Sequence, residues 1–568
     1  MISRRQFISR GGLTLAGGLE LSSFIDACRL SADSFAGQVA DIVVVGGGLG
    51  GCSAALAALR QGLSVVLTEP TDWLGGQLTS QGVPPDEHRW IETHGANASY
   101  RHLRTRIRDY YRRNYPLTQT ARTDPLLNPG KGSVSRLCHE PQVALAAIME
   151  LLHPFMGSGK LRYLPQHVPV AADVAGDRVR AIEIRSLDTG RTTRLEAPYF
   201  VDATELGDLL PLTGTEHVIG NEGRGVTNEM HAPERSDPGN QQAFTCCFAM
   251  DHHPGENHVL ERPENYTHWR EYQPRLNPAW PGRWLDFTYT HPRSGQPKRL
   301  GFNPAEGPHG GVVNLWTYRR IAAVNQFVAG AYASDICLVN WPQNDYLEGP
   351  LVGPDQGEQA HHIASAKQLS LALLYWLQTE APRFDGGTGF PGLRLRPDIM
   401  GTEDGMAKAP YVRESRRIKA RFTVLESHCG KEQREQETGL TGEALRAARF
   451  DDSVGVGSYP IDLHPSTAGD NYIDFETLPF EVPLGALIPE RMVNLLPANK
   501  NIGTTHVTNG CYRLHPVEWG IGEAVGSLVA YCRERNIVPS QVAEQPSELA
   551  AFQERLVAQG VALRWPES

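Results

Sequence analysis

The sequence predicts an α/β chain built around a Rossmann-like dinucleotide-binding domain. Three stretches predict it: an apolar run at 41–45, the glycine-rich turn behind it, and a second apolar run ending at Glu69. Asp41-Ile42-Val43-Val44-Val45 has the unbroken β-branched character of a parallel strand buried on both faces. The turn that follows supplies G-x-G-x-x-G at Gly46, Gly48 and Gly51. In such a turn the first glycine permits the tight bend, the second lets backbone approach a pyrophosphate, and the third lets the helix pack close to the strand. Ala54 to Leu59 continue as a small-residue helix whose leading N–H groups and dipole favour phosphate, and Gly62 ends it. Ser64-Val65-Val66-Leu67-Thr68-Glu69 forms the second strand. Its terminal carboxylate lies about 20 residues past the turn, where it can accept hydrogen bonds from a ribose. This unit binds the ADP half of a dinucleotide and does not by itself separate NAD from FAD.

At 568 residues the chain exceeds one ordinary core, so two interleaved domains with a cleft between them are expected. A net charge of -10 argues against a nucleic-acid surface. Arg101, Arg104, Arg106, Arg108, Arg112 and Arg113 cluster locally and read as a solvated helix paired with acids elsewhere. Ser3-Arg4-Arg5-Gln6-Phe7-Ile8, followed by an apolar stretch to about Ile25, reads as a twin-arginine leader with cleavage after Ala36. That stretch, broken by Glu20, is too short and polar for a stable membrane span of roughly 20 residues. A lipoprotein site at Cys28 is an alternative. The expectation is a periplasmic or secreted protein handled by the twin-arginine machinery, which carries folded proteins, often with a cofactor already inserted. Nine cysteines without a C-x-x-C pair indicate neither a metal ribbon nor a disulfide framework. His361-His362 with Glu358, and His252-His253 with Asp251, do not make a defended ligand set, so no metal is expected.

Beyond the fingerprint, Trp73-Leu74-Gly75-Gly76-Gln77-Leu78 follows the acid. Val168 to Ala172, Arg178 to Arg185 and Thr192 to Ala197 alternate as three strands, and Tyr199-Phe200-Val201-Asp202-Ala203-Thr204 returns as a buried strand. Met492 to Asn499 and the glycine-rich helix from Val517 close the set. On these segments the chain resembles the glutathione-reductase-type FAD-binding fold and, within it, the FAD-dependent oxidoreductase family distantly related to fumarate reductase flavoproteins. The resemblance implies FAD, a β-meander inserted in the FAD domain, and an α+β substrate domain inserted in the chain. It implies cofactor contacts from Gly75, Gly76 and Gln77 along the diphosphate and ribityl region, from backbone near Val168 at the adenine, and from Asp202. It also implies Asn499, where an acid is common, at the ribityl chain, and Gly520 and Ile521 at the helix start facing the flavin. Glu205 stands where that pattern often has glycine.

The loop from Gly503 to Pro516 must then pass the flavin ring. His515 is expected beside it, polarising it or moving a proton. Arg513 is the candidate for holding a carboxylate or the charge of reduced flavin, and His506 is a second proton donor or acceptor. Tyr411-Val412-Arg413-Glu414-Ser415-Arg416-Arg417 is too polar for a core strand unless its charges are paired or face a ligand. Arg413 is accordingly expected at flavin or substrate, or in an ion-pair network with Asp345 or Asp462; Tyr459 and His464 are weaker candidates. Trp316, Trp341 and Tyr459 are expected to stack on a ring or sugar face.

The domain reading is a leader at 1–36, a first FAD-domain part at 37–210, a substrate or cap domain at 211–484, a C-terminal FAD-domain return at 485–540, and a tail helix at 541–568. The functional expectation is hydride transfer at flavin N5 to or from a small polar substrate, hydroxylated or carboxylated. The alternative is an FAD-containing lyase, hydratase or isomerase without net redox. No second G-x-G-x-x-G follows residue 51, so no separate NAD(P)H domain is expected and the electron partner stays open.

Overall fold

The computed structural model describes residues 40–305 and 312–566; the leader, its twin arginines and Cys28 lie outside the described residues. The apolar runs form the expected strands β1 (Ile42–Val45) and β2 (Val65–Glu69), joined by α1 (Leu49–Arg60). All nine strand residues are buried, as parallel strands covered on both faces require. Helices α2 (Ala98–Asn114) and α3 (Pro141–Gly157) lead to β3 (Leu161–Pro165). The meander follows as β4 (His167–Ala175), β5 (Arg178–Ser186) and β6 (Thr192–Glu196), and β7 (Tyr199–Asp202) returns to the main sheet. Its fifth strand, β8 (Leu495–Pro497), comes from the far end of the chain. The order is β8-β7-β1-β2-β3, all parallel. The register sets Val45 and Pro497 on either side of Asp202, so three strands end together. In open parallel sheets that edge is where ligands bind.

The intervening chain carries a four-stranded antiparallel sheet from Phe248–His252, Arg320–Ala322, Ile336–Val339 and Leu393–Leu395. The long helix Gln356–Thr379, opened by an Asp355 side-chain cap, contributes to the same apolar core. Trp316 and Trp341 lie in this core, each within about 6 Å of Phe302, so they fill it rather than offer a stacking face. His362 meets Tyr346 Oη at 3.0 Å, and Asp251 is taken by Arg394 and Arg396.

The 503–516 stretch is not wholly a loop. His506–Tyr512 forms helix α4, because the Thr505 hydroxyl accepts the Thr508 N–H (3.1 Å) and the Thr508 hydroxyl accepts the Thr505 N–H (3.0 Å). Helix α5 then runs from His515 to Arg535, two residues earlier than expected, with Pro516 in its first turn. The tail is two helices, Pro539–Glu544 and Pro546–Ala558. Among the described residues no helix is long and apolar enough to cross a membrane.

Candidate functional site

The glycine turn is shaped by close backbone approach. Gly46 has φ +101°, and a Cβ there would fall 2.2 Å from the Ala203 carbonyl oxygen. At Gly50 a Cβ would lie 1.5 Å from the Ala498 carbonyl oxygen, so α1 rests directly on the end of β8. Helix α1 starts at Gly48 with no side-chain cap and no acid in its first turn, which leaves its N-terminus directed at the strand ends. Gly75 N–H donates to the Gly47 carbonyl (2.7 Å), and Gly76 sits against Gly48. Glu69 accepts the Gly47 N–H (3.0 Å) and the Thr71 N–H and hydroxyl. Burial pushes its carboxyl up to about 7. The meander begins two residues past Pro165, the partner of Glu69 in the sheet, which places Val168 near this acid's strand end.

The closing elements bring further groups to the same turn. Glu518 accepts the Gly50 N–H (3.3 Å) and is bound by Gln77 Nε2, which also donates to the Arg513 carbonyl (2.9 Å). Gln77 thereby links the turn to the loop before α5. Asn499 uses its amide on the Ala203 and Thr204 carbonyls, tying β8 to the turn after β7. Asp202 builds that turn by accepting from Thr204 N and Oγ1 and from Leu209 N; burial carries it up to about 7. Gly520 and Ile521 lie in the second turn of α5, so His515 to Glu518 form the helix start that faces the site.

His515 is fully buried, and its Nδ1 accepts the Asp86 N–H (3.1 Å). That bond assigns the remaining hydrogen of the neutral ring to Nε2, which has no protein partner. Burial, reinforced by Arg319, lowers its pKa to about 3. In its neutral form His515 can donate a hydrogen bond from Nε2. Arg513 donates to Tyr411 Oη (2.9 Å) and the Asp462 carbonyl (3.0 Å), with its Nε unpartnered. Arg413 pairs with Asp345 at 3.2 Å, the ion-pair alternative, stacks on Tyr411 and leaves Nε without a hydrogen-bond partner. His506 is elsewhere, facing Glu414 (2.9 Å); burial pulls its pKa down, but Glu414 outweighs it and the net shift is upward.

Two residues that sequence reasoning missed complete the cleft. Asp86 is buried 3.6 Å from Arg319, whose Nη1 lacks a hydrogen-bond partner. Burial raises the Asp86 carboxyl, opposed by Arg319, Arg513 and Arg413. Asp462 and Tyr459 belong to the same electrostatic neighbourhood. His464 holds Asp345 at 2.6 Å. The Pro84-Pro85 pair before Asp86 was the available signal. The arginine-rich helix α2 is not simply solvated: Arg104 grips both Glu87 (2.8 Å) and Glu92 (2.7 Å), and Arg108 also holds Glu92 (2.7 Å). These bonds clamp the loop that presents Asp86.

These features fit FAD. A glycine bend of positive φ, a helix start whose N-cap residue carries no side chain and an acid on the second strand suit its ADP half, while Gln77 Oε1 and His515 Nε2 have no close hydrogen-bond partner. A family model described as FAD dependent oxidoreductase matches residues 41–556. No curated protein matches the chain in sequence. Among solved structures, L-proline dehydrogenase from P. horikoshii is 16% identical over 33% of this chain and 25% of its own, with a TM-score of 0.16. Glycerol-3-phosphate dehydrogenase from Bacillus halodurans, complexed with FAD, is 14% identical over 40% of this chain and 42% of its own, with a TM-score of 0.23. The chain thus spans less than half of either. A geranylgeranyl bacteriochlorophyll reductase-like protein from Thermoplasma acidophilum aligns over 92% of this chain and 84% of its own, at 10% identity and a TM-score of 0.31.

Proposed function

The chain belongs to the FAD dependent oxidoreductase family and is an FAD enzyme, and from that premise we propose that it is exported and oxidises or reduces a small polar substrate bearing hydroxyl or carboxylate groups. One observation carries the substrate reading. Arg319, Arg413, Arg513 and His515 sit in one buried neighbourhood with Asp86, and each has a buried nitrogen without a close hydrogen-bond partner. Buried polar atoms are almost always bonded, so this set suits a ligand rich in oxygen.

FAD, when bound, supplies a two-electron hydride acceptor or donor. The turn at Gly46 to Gly51, with Glu69, Gly75 and Gly76, would hold its ADP and diphosphate portions. The arginines fix the substrate's oxygens, and His515 Nε2–H donates a hydrogen bond without changing protonation. Asp86 takes or returns the proton that accompanies hydride movement. Burial raises this carboxyl above its ordinary value despite the arginines beside it, which makes it a better proton acceptor. Export is supported by Ser3-Arg4-Arg5 and the apolar stretch behind it.

The test is anaerobic titration of the purified flavoprotein with pooled small metabolites. Bleaching of the flavin with stoichiometric product formation supports the reading. Turnover with an unchanged flavin spectrum and no electron acceptor would refute it and select non-redox chemistry. Cell fractionation with the arginine pair replaced by lysines tests export: the protein should then remain inside.

A further inference from the structure

The dinucleotide turn holds more negative charge than a phosphate site calls for. Glu518 reaches from the first turn of α5 to the N-terminus of α1, where one oxygen accepts the Gly50 N–H and the other is bound by Gln77. From the opposite side, Glu205 Oε1 lies 3.0 Å from where a Gly48 side chain would begin and 3.1 Å from the same point at Gly76. That oxygen is buried without a hydrogen-bond partner. Lys500, 2% exposed, pairs with the other oxygen of Glu205. Glu69 closes the far edge through the Gly47 N–H, and Asn499 Nδ2 lies 3.5 Å from the Gly48 Cβ position. The groups facing the turn are therefore Glu69, Glu205, Glu518, Lys500, two amides and the start of α1.

A diphosphate brings two further negative charges to the same N–H groups. It cannot settle there beside two ionised carboxylates without strong repulsion. We propose that Glu205, Glu518 and Lys500 are cofactor-binding residues that couple FAD binding to uptake of one proton. Lys500 moves from Glu205 to the diphosphate, and Glu518 takes a proton from solvent, so that the two carboxyl groups together keep one negative charge. The arrangement is poised for this at ordinary pH: burial first, and Glu205 second, push Glu518 up to about 7, with Lys500 opposing. The coupling rests on the family's cofactor and is independent of the substrate reading.

The experiment titrates FAD into the full-length chain stripped of flavin, following flavin fluorescence between about pH 6 and 9. Kd should be nearly flat at the acid end and weaken by up to about tenfold for each unit above roughly pH 7, the limit for one linked proton. Glu518→Gln should bind more tightly than wild type at the alkaline end and flatten the slope, and Lys500→Met should weaken binding at every pH. Calorimetry of the wild-type protein at about pH 8.5, where the slope should be steepest, in two buffers of different ionisation enthalpy counts the proton directly, whatever the variants do to folding. A count near one supports the coupling. A count near zero, a wild-type Kd independent of pH, or a wild-type slope retained in Glu518→Gln overturns it.

Discussion

Replacing Arg413 with methionine removes the cation facing Asp345 while keeping much of the side chain's volume. The pair is 3.2 Å apart, with the two side chains 1% and 0% exposed. Arg413 also donates to the Ala243 carbonyl (2.8 Å) and Thr245 Oγ1 (3.1 Å). Burial pushes the Asp345 carboxyl up, but Arg413 and His464 outweigh it and hold it at about 2, below its ordinary 3.8. A lowering of that size corresponds to about 2 kcal/mol of stability. Truncating one member of a buried pair costs about 3–5 kcal/mol, because the other charge is left behind. Asp345 keeps Thr245 Oγ1 (2.6 Å), His464 Nδ1 (2.6 Å) and Tyr472 Oη (2.7 Å), so the expected loss is at the lower end, about 3 kcal/mol at neutral pH. The pH dependence has a definite sign. In the wild type the depressed carboxyl contributes above its unfolded pKa, and that contribution is lost only as pH falls through about 2. In the variant, burial without Arg413 raises the carboxyl, so the penalty is largest at alkaline pH and shrinks as acid supplies a proton. Urea denaturation followed by tryptophan fluorescence at about pH 8 and pH 5.5 measures both. A loss below about 1 kcal/mol, or one that grows on acidification, would refute the pairing argument.

Gly50→Ala should force α1 off β8, since its Cβ would start 1.5 Å from the Ala498 oxygen. Overpacking costs about 1–3 kcal/mol, set against roughly 1 kcal/mol of helix propensity gained, so the clearest readout is a purified protein with little bound flavin. Asp86→Asn should retain FAD yet slow flavin reduction by substrate by about 10²–10⁴-fold in stopped-flow measurements, the usual worth of a positioned proton acceptor; an unchanged rate removes Asp86 from the chemistry. Arg104→Met leaves Glu87 buried without its cation and should make the segment between Asp86 and Asn97 the first site cut in limited proteolysis.

The parallel core was legible because a strand covered on both faces must be apolar without interruption, and Ile42–Val45 and Val65–Glu69 obey that rule. The meander was legible from alternation punctuated by Gly176-Asp177 and Asp188-Thr189-Gly190, where turns are required. Helix α4 was hidden because Val507, Thr508, Asn509 and Gly510 are weak helix formers; a reciprocal cap and tertiary burial override propensity there. The cleft was only half visible. Arg413, Arg513 and His515 stand in polar segments that attract notice, whereas Asp86 and Arg319 are single residues in aperiodic stretches. Their meaning comes from being brought together across more than two hundred positions of chain. Asn499 and Asp202 were recognised by position, but their side chains are occupied with backbone, a distinction only three-dimensional contacts reveal.

The edge strand β8 has a consequence for biosynthesis. The first strands of the sheet leave the ribosome early, yet the strand that pairs with β7, and the helix that covers α1, are made only after nearly three hundred further residues have been added. The nascent sheet therefore carries an open edge through synthesis of the whole cap, and closure is a late, long-range event. Chaperone retention before Leu495 appears, and aggregation of chains stopped before it, follow from that connectivity rather than from any weakness of the finished core.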